Sequence, residues 1–599
     1  MPAYPPRSKV EKSKTWNAES VFENPRAWES ERQRLLSDLD SVKKFTGRLH
    51  EGPAVMLEAL DARDQLLVRA QRVYMYAGFA SAVDTTDQEA AGMQGKAASM
   101  LGQVAAALAF IAPELISVGR NQLDTWLAQD PKLAIYAHSL DDLFRRQAHV
   151  RSGEVEELLG MLADPFGGPS QTASMLTNAD FRFAPALNSH GRKLEVTQSS
   201  VHAILVAPDR AARQSGWNHY MDRHLEFKNT LASNLTTSMK ANILNARVRK
   251  HESSLAASLF DNNVPATVFH NLIDTFKRHL PVWHRYFQIR RKALGQRDIA
   301  YYDMWAPLTA RRPKVTFEQA VDFICGGLEA MGPDYVAALR GGCLQERWVD
   351  WAPNKGKQNG AFSYGAPGTH PFIMMSFTGD IGSLSTLAHE LGHSLHSYLT
   401  WKNQPLVYAD YSLFVAEVAS NFHQAMVRAY LLDTVRDRSF QIAVIEEAMG
   451  NFFRYFFQMP TLARFELAVH ERIEKGEAVT ADSMIELMAD LFTEGFGPKV
   501  RVDRPRVGMV WSTFSHLFAD YYVYQYATGI SGAHALSGRI LRGEKNAVEN
   551  YLGFLRAGSS AYPLEVLRRA GVDLGNPAPV QETFAVMESY IDRLEKLLD

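Results

Sequence analysis

Apolar residues recur at three- and four-residue intervals along most of this chain, and that period belongs to an α-helix with one buried face. From Ala54 to about Ala80, Met56, Leu60, Leu67, Ala70 and Tyr74 keep it. So do Gln88–Ala109, Glu154–Leu162, Trp217–Val248, Ala266–Leu294, Phe317–Leu339 and Val444–Leu462. The tail places Phe584, Met587, Ile591, Leu594 and Leu598 at the same spacing. Strand-like runs are few: Arg192–Val196, Ile299–Met304 and Ala361–Ser376, the last a short strand or hairpin ahead of a helix. The expected fold is therefore mainly α with a small β-sheet. Asp164–Ser170 (DPFGGPS) reads as a turn or loop, and Asn354–Gly360 (NKGKQNG) as a mobile polar loop. The working division is an N-terminal helical lobe, residues 1–205, and a longer part, residues 206–599.

Composition narrows the function. Lys+Arg is 64 and Asp+Glu is 66, a net charge of −2, so there is no chain-wide basic footprint for nucleic acid. With 46% hydrophobic residues the chain is not a disordered, solvating polymer. Cys325 and Cys343 are the only cysteines and form no CxxC, which suits a reducing compartment. The start, MPAYPPRSKVEKSKTW, has no apolar core of a signal peptide. The most apolar stretch, Val104–Ala112, stops at Pro113 and is short of the ~20 residues a bilayer needs. The expectation is a cytoplasmic protein, monomeric or a small homo-oligomer, with no membrane and no nucleic acid among its partners.

One segment carries chemistry: TLAHELGHSLH, with His389, Glu390 and His393. Leu384, Leu387, Ala388, Leu391, Leu395 and Leu399 make an apolar stripe, and the histidines lie off it. Residues four apart sit about 40° apart on one face and about 6 Å along the axis. Two imidazoles so placed can converge on one ion at about 2.0–2.1 Å. Glu390, next round the helix, can reach a water on the metal without ligating it. HExxH on a helix is a zinc-hydrolase signature for that reason.

A catalytic zinc takes three protein ligands and keeps one open position. Metzincins would have Gly at 396 and His at 399, where this chain has His396 and Leu399. Aminopeptidase-type enzymes place Glu nineteen residues after the second His, which is Ser412 here. The next periodic helix, about Ser412–Leu432, carries Glu417 within FVAEVAS. A carboxylate among Val and Ala is costly to bury without a partner, and a metal would supply one. His396 shares the histidine face and reads as a packing or supporting residue. Downstream, Asp520–Gly529 holds Tyr521, Tyr522, Tyr524 and Tyr526, with His516 just before. Tyr522 and Tyr526 are four apart and can face one site, as donors to an oxyanion.

These blocks resemble the oligoendopeptidase F and thimet oligopeptidase group of zinc peptidases, the oligoendopeptidase F branch above all. TLAHELGHSLH, FVAEVAS, YYVYQYATG and FLRAGSSAYPLEVLRRAGVDL carry the resemblance, and LEFKNTLASNL with NNVPATVFHNLID extends it back to about residue 215. It implies a large helical zincin-type body enclosing a deep channel, with residues 206–599 as the catalytic domain. It implies one zinc per chain on His389, His393 and Glu417, and Glu390 as the catalytic glutamate. His516 and Tyr522 fall on catalytic contacts, and Tyr524 and Tyr526 are candidate substrate contacts. Gly360–Thr378, beginning with Gly360 and Ala361, matches the edge that pairs with peptide backbone, a form of strand addition.

The expected reaction is hydrolysis of internal bonds in short unstructured peptides, with Glu390 as general base. One rival is a zinc carboxypeptidase or dipeptidase, for which Arg501, Arg504 and Arg506 are candidates to hold a chain end. The other is a non-catalytic peptide-binding protein, against which the intact Glu390 argues.

Overall fold

The computed structural model describes residues 4–310 and 312–599. Helices dominate and the sheets are small, as the periodicity predicts. Ala186–Leu187 pairs antiparallel with Lys193–Leu194, and Ile299–Ala300 runs parallel to Val500–Arg501. In the third sheet Phe372–Met374 is central, antiparallel to Phe362–Tyr364 and parallel to Val349–Asp350. Each of the three strand-like runs thus contains a strand. Trp217–Val248 resolves into two helices, Arg210–Glu226 and Lys228–Val248.

The contacts gather into two compact units. One is built from Met1–Ala148, Lys314–Tyr430 and Arg539–Gly571, the other from His149–Pro313, Leu431–Gly538 and Val572–Asp599. Each draws on three separated stretches, an arrangement that local composition does not mark.

DPFGGPS is not a loop. It continues the helix Gly153–Met175, with Pro165 and Pro169 inside it. A proline removes a helical N–H, which ordinarily breaks the helix. Here Met161, Asp164 and Pro165 are exposed, so water can take up the freed carbonyls, and the helix packs on Lys228–Val248. NKGKQNG is a loop, but it is pinned. Lys357 is 1% exposed; its Nζ donates to Asp350 Oδ1 at 2.7 Å and to the Ala352 and Met375 carbonyls. Desolvation pulls the Lys357 ammonium below its usual range, against the pull of Asp350.

In the first unit, Phe372 and Met374 project from one face of the central strand into a cluster with Trp16, Met75 and Phe79. The strand is buried along its length because the helix Ile381–Asn403 also packs on it. The same unit contains Gln88–Val118, long and apolar enough by length and composition to cross a membrane, although Val104–Ala112 alone is too short. A turn at Ala109–Phe110 divides that run, and Met93, Ala97, Met100, Val104 and Ala107 pack into a core with Trp28 and Leu35. In the second unit the core is aromatic: Trp283, Phe287, Phe453, Phe457 and Phe496 stack and edge-pack on one another.

Candidate active site

The motif helix, Ile381–Asn403, starts where Asp380 caps it by accepting from the Ser383 N–H at 2.8 Å. Leu384, Leu387, Ala388, Leu391 and Leu395 are buried, as the stripe predicts, and Leu399 partly so. The Glu417 helix, Leu413–Thr434, crosses it at Gly392. A Cβ on Gly392 would lie 2.5 Å from the Ala419 carbonyl oxygen and 2.6 Å from Ser420 Cα. The two backbones meet because residue 392 has no side chain.

That close crossing brings His389, His393 and Glu417 together, with one ligand atom of each within 4.8 Å of the others. His389 Nε2 and Glu417 Oε2 are 3.4 Å apart. Two donors about 2.0–2.1 Å from a shared tetrahedral zinc would be about 3.3–3.4 Å apart, so the pair has the separation such an ion requires. The other His389 nitrogen, Nδ1, is 3.1 Å from Gln424 Oε1, which fixes the ring and leaves Nε2 for the ion. Burial drives the His393 imidazole down to about 4, against the nearby Glu417 carboxylate, so it is neutral at pH 7 and carries a free lone pair. Glu417 is held below its usual range; burial opposes this, but His389, His393 and the Ser420 hydroxyl, 3.0 Å from Oε2, outweigh it. Two imidazoles and a carboxylate, with no sulfur, fit a hydrolytic zinc.

Glu390 is 5% exposed. Burial lifts its carboxyl to about 7, with Glu417 adding to the effect and His389 opposing it. His396 stacks on Tyr411 at 3.6 Å and packs on Phe554, a place for a packing side chain. Gly360, at φ +91, and Ala361 lead into Phe362–Tyr364, whose outer edge has no strand partner among the described residues. Ser363 Oγ lies 2.8 Å from Ser394 Oγ, which ties that edge strand to the motif helix.

His516, Tyr522, Tyr524 and Tyr526 belong to the second unit. Three of them come together there. The His516 ring is parallel to Tyr522 at 5.9 Å and edge-on to Tyr526 at 5.7 Å, and the Tyr526 hydroxyl donates to the Tyr522 oxygen at 3.3 Å. Tyr524 points elsewhere: it is 2% exposed and packs on Phe269. The three arginines proposed to hold a chain end are engaged. Arg501 donates to the Tyr302 hydroxyl, Arg504 pairs with Glu486 and Asp490, and Arg506 with Asp222 and Asp503.

Sequence reasoning missed the partners of the candidate ligands. Gln424 orients His389 and in turn donates to Ser385 Oγ at 2.7 Å, while Asn421 donates to the Glu417 carbonyl. Their signal was present: Glu417, Ser420, Asn421, Gln424 and Arg428 form a polar stripe at helical spacing on a helix otherwise rich in apolar residues.

Residues 203–586 match the family model "Peptidase family M3" and residues 114–183 match "Oligopeptidase F". The chain belongs to peptidase family M3. It is 36% identical over 595 residues to the oligopeptidase PepF of Bacillus subtilis, covering 99% of this chain and 88% of that one. It is 32% identical to the group B oligopeptidase PepB of Streptococcus agalactiae, covering 99% and 98%. Among solved structures, oligoendopeptidase-F from Enterococcus faecium aligns with a TM-score of 0.75 at 28% identity, over 96% of this chain and 99% of that one.

Proposed function

We propose that this chain is a zinc-dependent endopeptidase acting on internal bonds of short, unstructured oligopeptides. The observation that carries the reading is the convergence of His389, His393 and Glu417 beside the buried Glu390 carboxyl. His389, His393 and Glu417 would hold one zinc ion. When bound, the ion supplies Lewis acidity, polarising the scissile carbonyl and making a water acidic enough to attack near pH 7. Glu390 accepts the proton of the attacking water and later delivers it to the leaving amine. Its carboxyl, lifted by burial to about 7, stands near neutrality, where a group can both take up and return that proton. Within the second unit, His516, Tyr522 and Tyr526 gather an imidazole and two hydroxyls, the donor types that a developing oxyanion needs.

The unpartnered edge of Phe362–Tyr364 suits backbone pairing with an extended peptide, which gives affinity with little side-chain selectivity. The names of the relatives, oligopeptidase and oligoendopeptidase, favour oligopeptide substrates. The engaged Arg501, Arg504 and Arg506 remove the sequence-level argument for a chain-end reader. Cys325 and Cys343 are both free and buried, in keeping with a reducing cytoplasm.

The test is a digest of mixed peptides, some blocked at both ends, followed by mass spectrometry with and without chelator. Internal cuts in blocked peptides that vanish with chelator and return with zinc are expected. Glu390→Gln should keep its metal and lose about 10²–10⁴ in kcat. Wild-type turnover by that variant, or cleavage confined to free chain ends, would overturn the reading.

A further inference from the structure

A second group of ligating side chains lies wholly within the second unit, apart from the residues assigned to the reaction. Glu466 and His470 are four apart on the helix Met459–Glu474, and Asp520 lies in the turn before the helix Tyr524–Leu541. One ligand atom from each lies within 4.8 Å of the other two. Glu466 and His470 are 0% and 1% exposed.

The hydrogen bonds around these groups leave the converging atoms unmet. His470 Nδ1 lies 3.0 Å from the Glu466 backbone carbonyl oxygen. A carbonyl can only accept, so Nδ1 carries a proton, and Nε2 is the ring nitrogen turned towards the carboxyl groups. That nitrogen is 3.3 Å from Asp520 Oδ1. Glu466 Oε1 accepts from the Tyr521 N–H at 2.9 Å. Glu466 Oε2, His470 Nε2 and Asp520 Oδ1 have no hydrogen-bond partner among the described residues. Two carboxyl groups and an imidazole therefore converge on one another with no ion-paired lysine or arginine among the described residues. Buried polar atoms like these are retained only when something pairs with them or is coordinated by them.

We propose that Glu466, His470 and Asp520 bind a divalent transition-metal cation, separately from His389, His393 and Glu417. One imidazole and two carboxylates, without sulfur, suit zinc or manganese. The 3.3 Å between Nε2 and Oδ1 is again about the separation of two donors on a shared tetrahedral ion. The Nδ1–H to backbone carbonyl bond sets the ring as supporting bonds set ligating histidines elsewhere. A lone shared proton is the rival occupant, and burial beside Asp520 does raise the Glu466 carboxyl well above its ordinary value. A proton bridges only two of the three atoms and leaves the third unmet, whereas a metal serves all three. The ion would pin the start of the tyrosine run to the helix Met459–Glu474. Its role is structural: the donors are buried, and Tyr521 N–H already occupies one carboxylate oxygen.

The test measures metal per full-length chain by mass spectrometry after dialysis against zinc or manganese chloride. Wild type, His393→Ala, Glu466→Gln and the double variant are compared. Two equivalents in wild type, one in each single variant and none in the double variant are expected. Glu466→Gln also tells metal from proton, because Gln mimics a protonated Glu. A metal site loses more than about tenfold in affinity and shows a lowered Tm, whereas a proton-sharing site keeps both unchanged. Asp520→Asn, at a partly exposed position, repeats the measurement should Glu466→Gln fail to fold. No metal in His393→Ala would overturn the proposal. One equivalent in both wild type and His393→Ala would support it and count instead against zinc at the motif helix.

Discussion

Gly392→Ala is the sharpest perturbation available, because it adds one methyl at the crossing that assembles the metal ligands. The new Cβ would sit 2.6 Å from Ser420 Cα and 2.5 Å from the Ala419 oxygen, both backbone atoms that no side-chain rotation can move. Carbon–carbon contacts settle near about 3.5 Å, so the helices must part by about 0.9 Å. Overpacking of this kind costs about 1–3 kcal/mol. The effect on the metal is larger in proportion. Glu417 lies two residues before Ala419 on the same rigid helix and moves with it, while ligand distances tolerate only about 0.2 Å. Affinity for zinc should fall by at least the about 10–100-fold seen when groups supporting a ligand are disturbed. Gly78→Ala is the control: it is also within a helix, Pro53–Val83, but nothing lies within 4 Å of the added Cβ. It should stabilise by about 0.5–1 kcal/mol. Competition with a chromophoric chelator reads the affinity, and thermal unfolding in excess chelator reads packing alone. If Gly392→Ala bound zinc within twofold of wild type, the claim that this crossing sets the ligand geometry would be wrong.

Other outcomes follow from buried charge. Asp350→Asn leaves the buried Lys357 ammonium without its charged partner and the partly exposed Arg7 without its carboxylate, and should cost about 3–5 kcal/mol, whereas Asp350→Asn with Lys357→Met should recover the part of the Tm loss due to Lys357. His224 is fully buried beside Phe181 and Tyr220, and burial holds its imidazole at about 4, below its ordinary 6.5. The unfolded chain then takes up a proton that the folded chain refuses between pH 6.5 and 4, so stability is lost as pH falls through that window, by up to about 3 kcal/mol. His224→Phe removes this component, and its Tm advantage over wild type should widen from pH 6.5 to 4 and vanish above 7.

What could be read from the sequence was whatever lies within one helix. The period of the apolar residues specifies the class, and the four-residue spacing of His389 and His393 specifies the shared face. Glu417 was legible because a carboxylate between Val and Ala needs a partner. What could not be read required two elements to meet. Gln424 is an ordinary glutamine until the crossing at Gly392 sets it against His389. Glu466 and His470 show the i, i+4 pairing in FELAVHE, but the third donor, Asp520, comes from a turn about fifty residues later. DPFGGPS misleads for a related reason: helix propensity is a weak prior, and packing on Lys228–Val248 overrides it.

The two ligand groups differ in access, and that difference orders their response to a chelator. His389 and Glu417 keep 15% and 19% of their side-chain surface exposed, as a site that must admit water and substrate requires. Glu466 and His470 expose essentially none, and although the Asp520 side chain is 26% exposed its Oδ1 is buried, so removal of an ion there needs local opening of the turn at Asp520. Chelator should therefore abolish peptide cleavage in a fast phase that leaves Tm nearly unchanged, and lower Tm in a slower phase that accelerates with mild denaturant. Zinc added between the phases should restore full activity. Glu466→Gln should show the fast phase alone. Loss of activity and of Tm in a single phase would mean that one ion serves both purposes, and the separation of a catalytic from a structural site would fall.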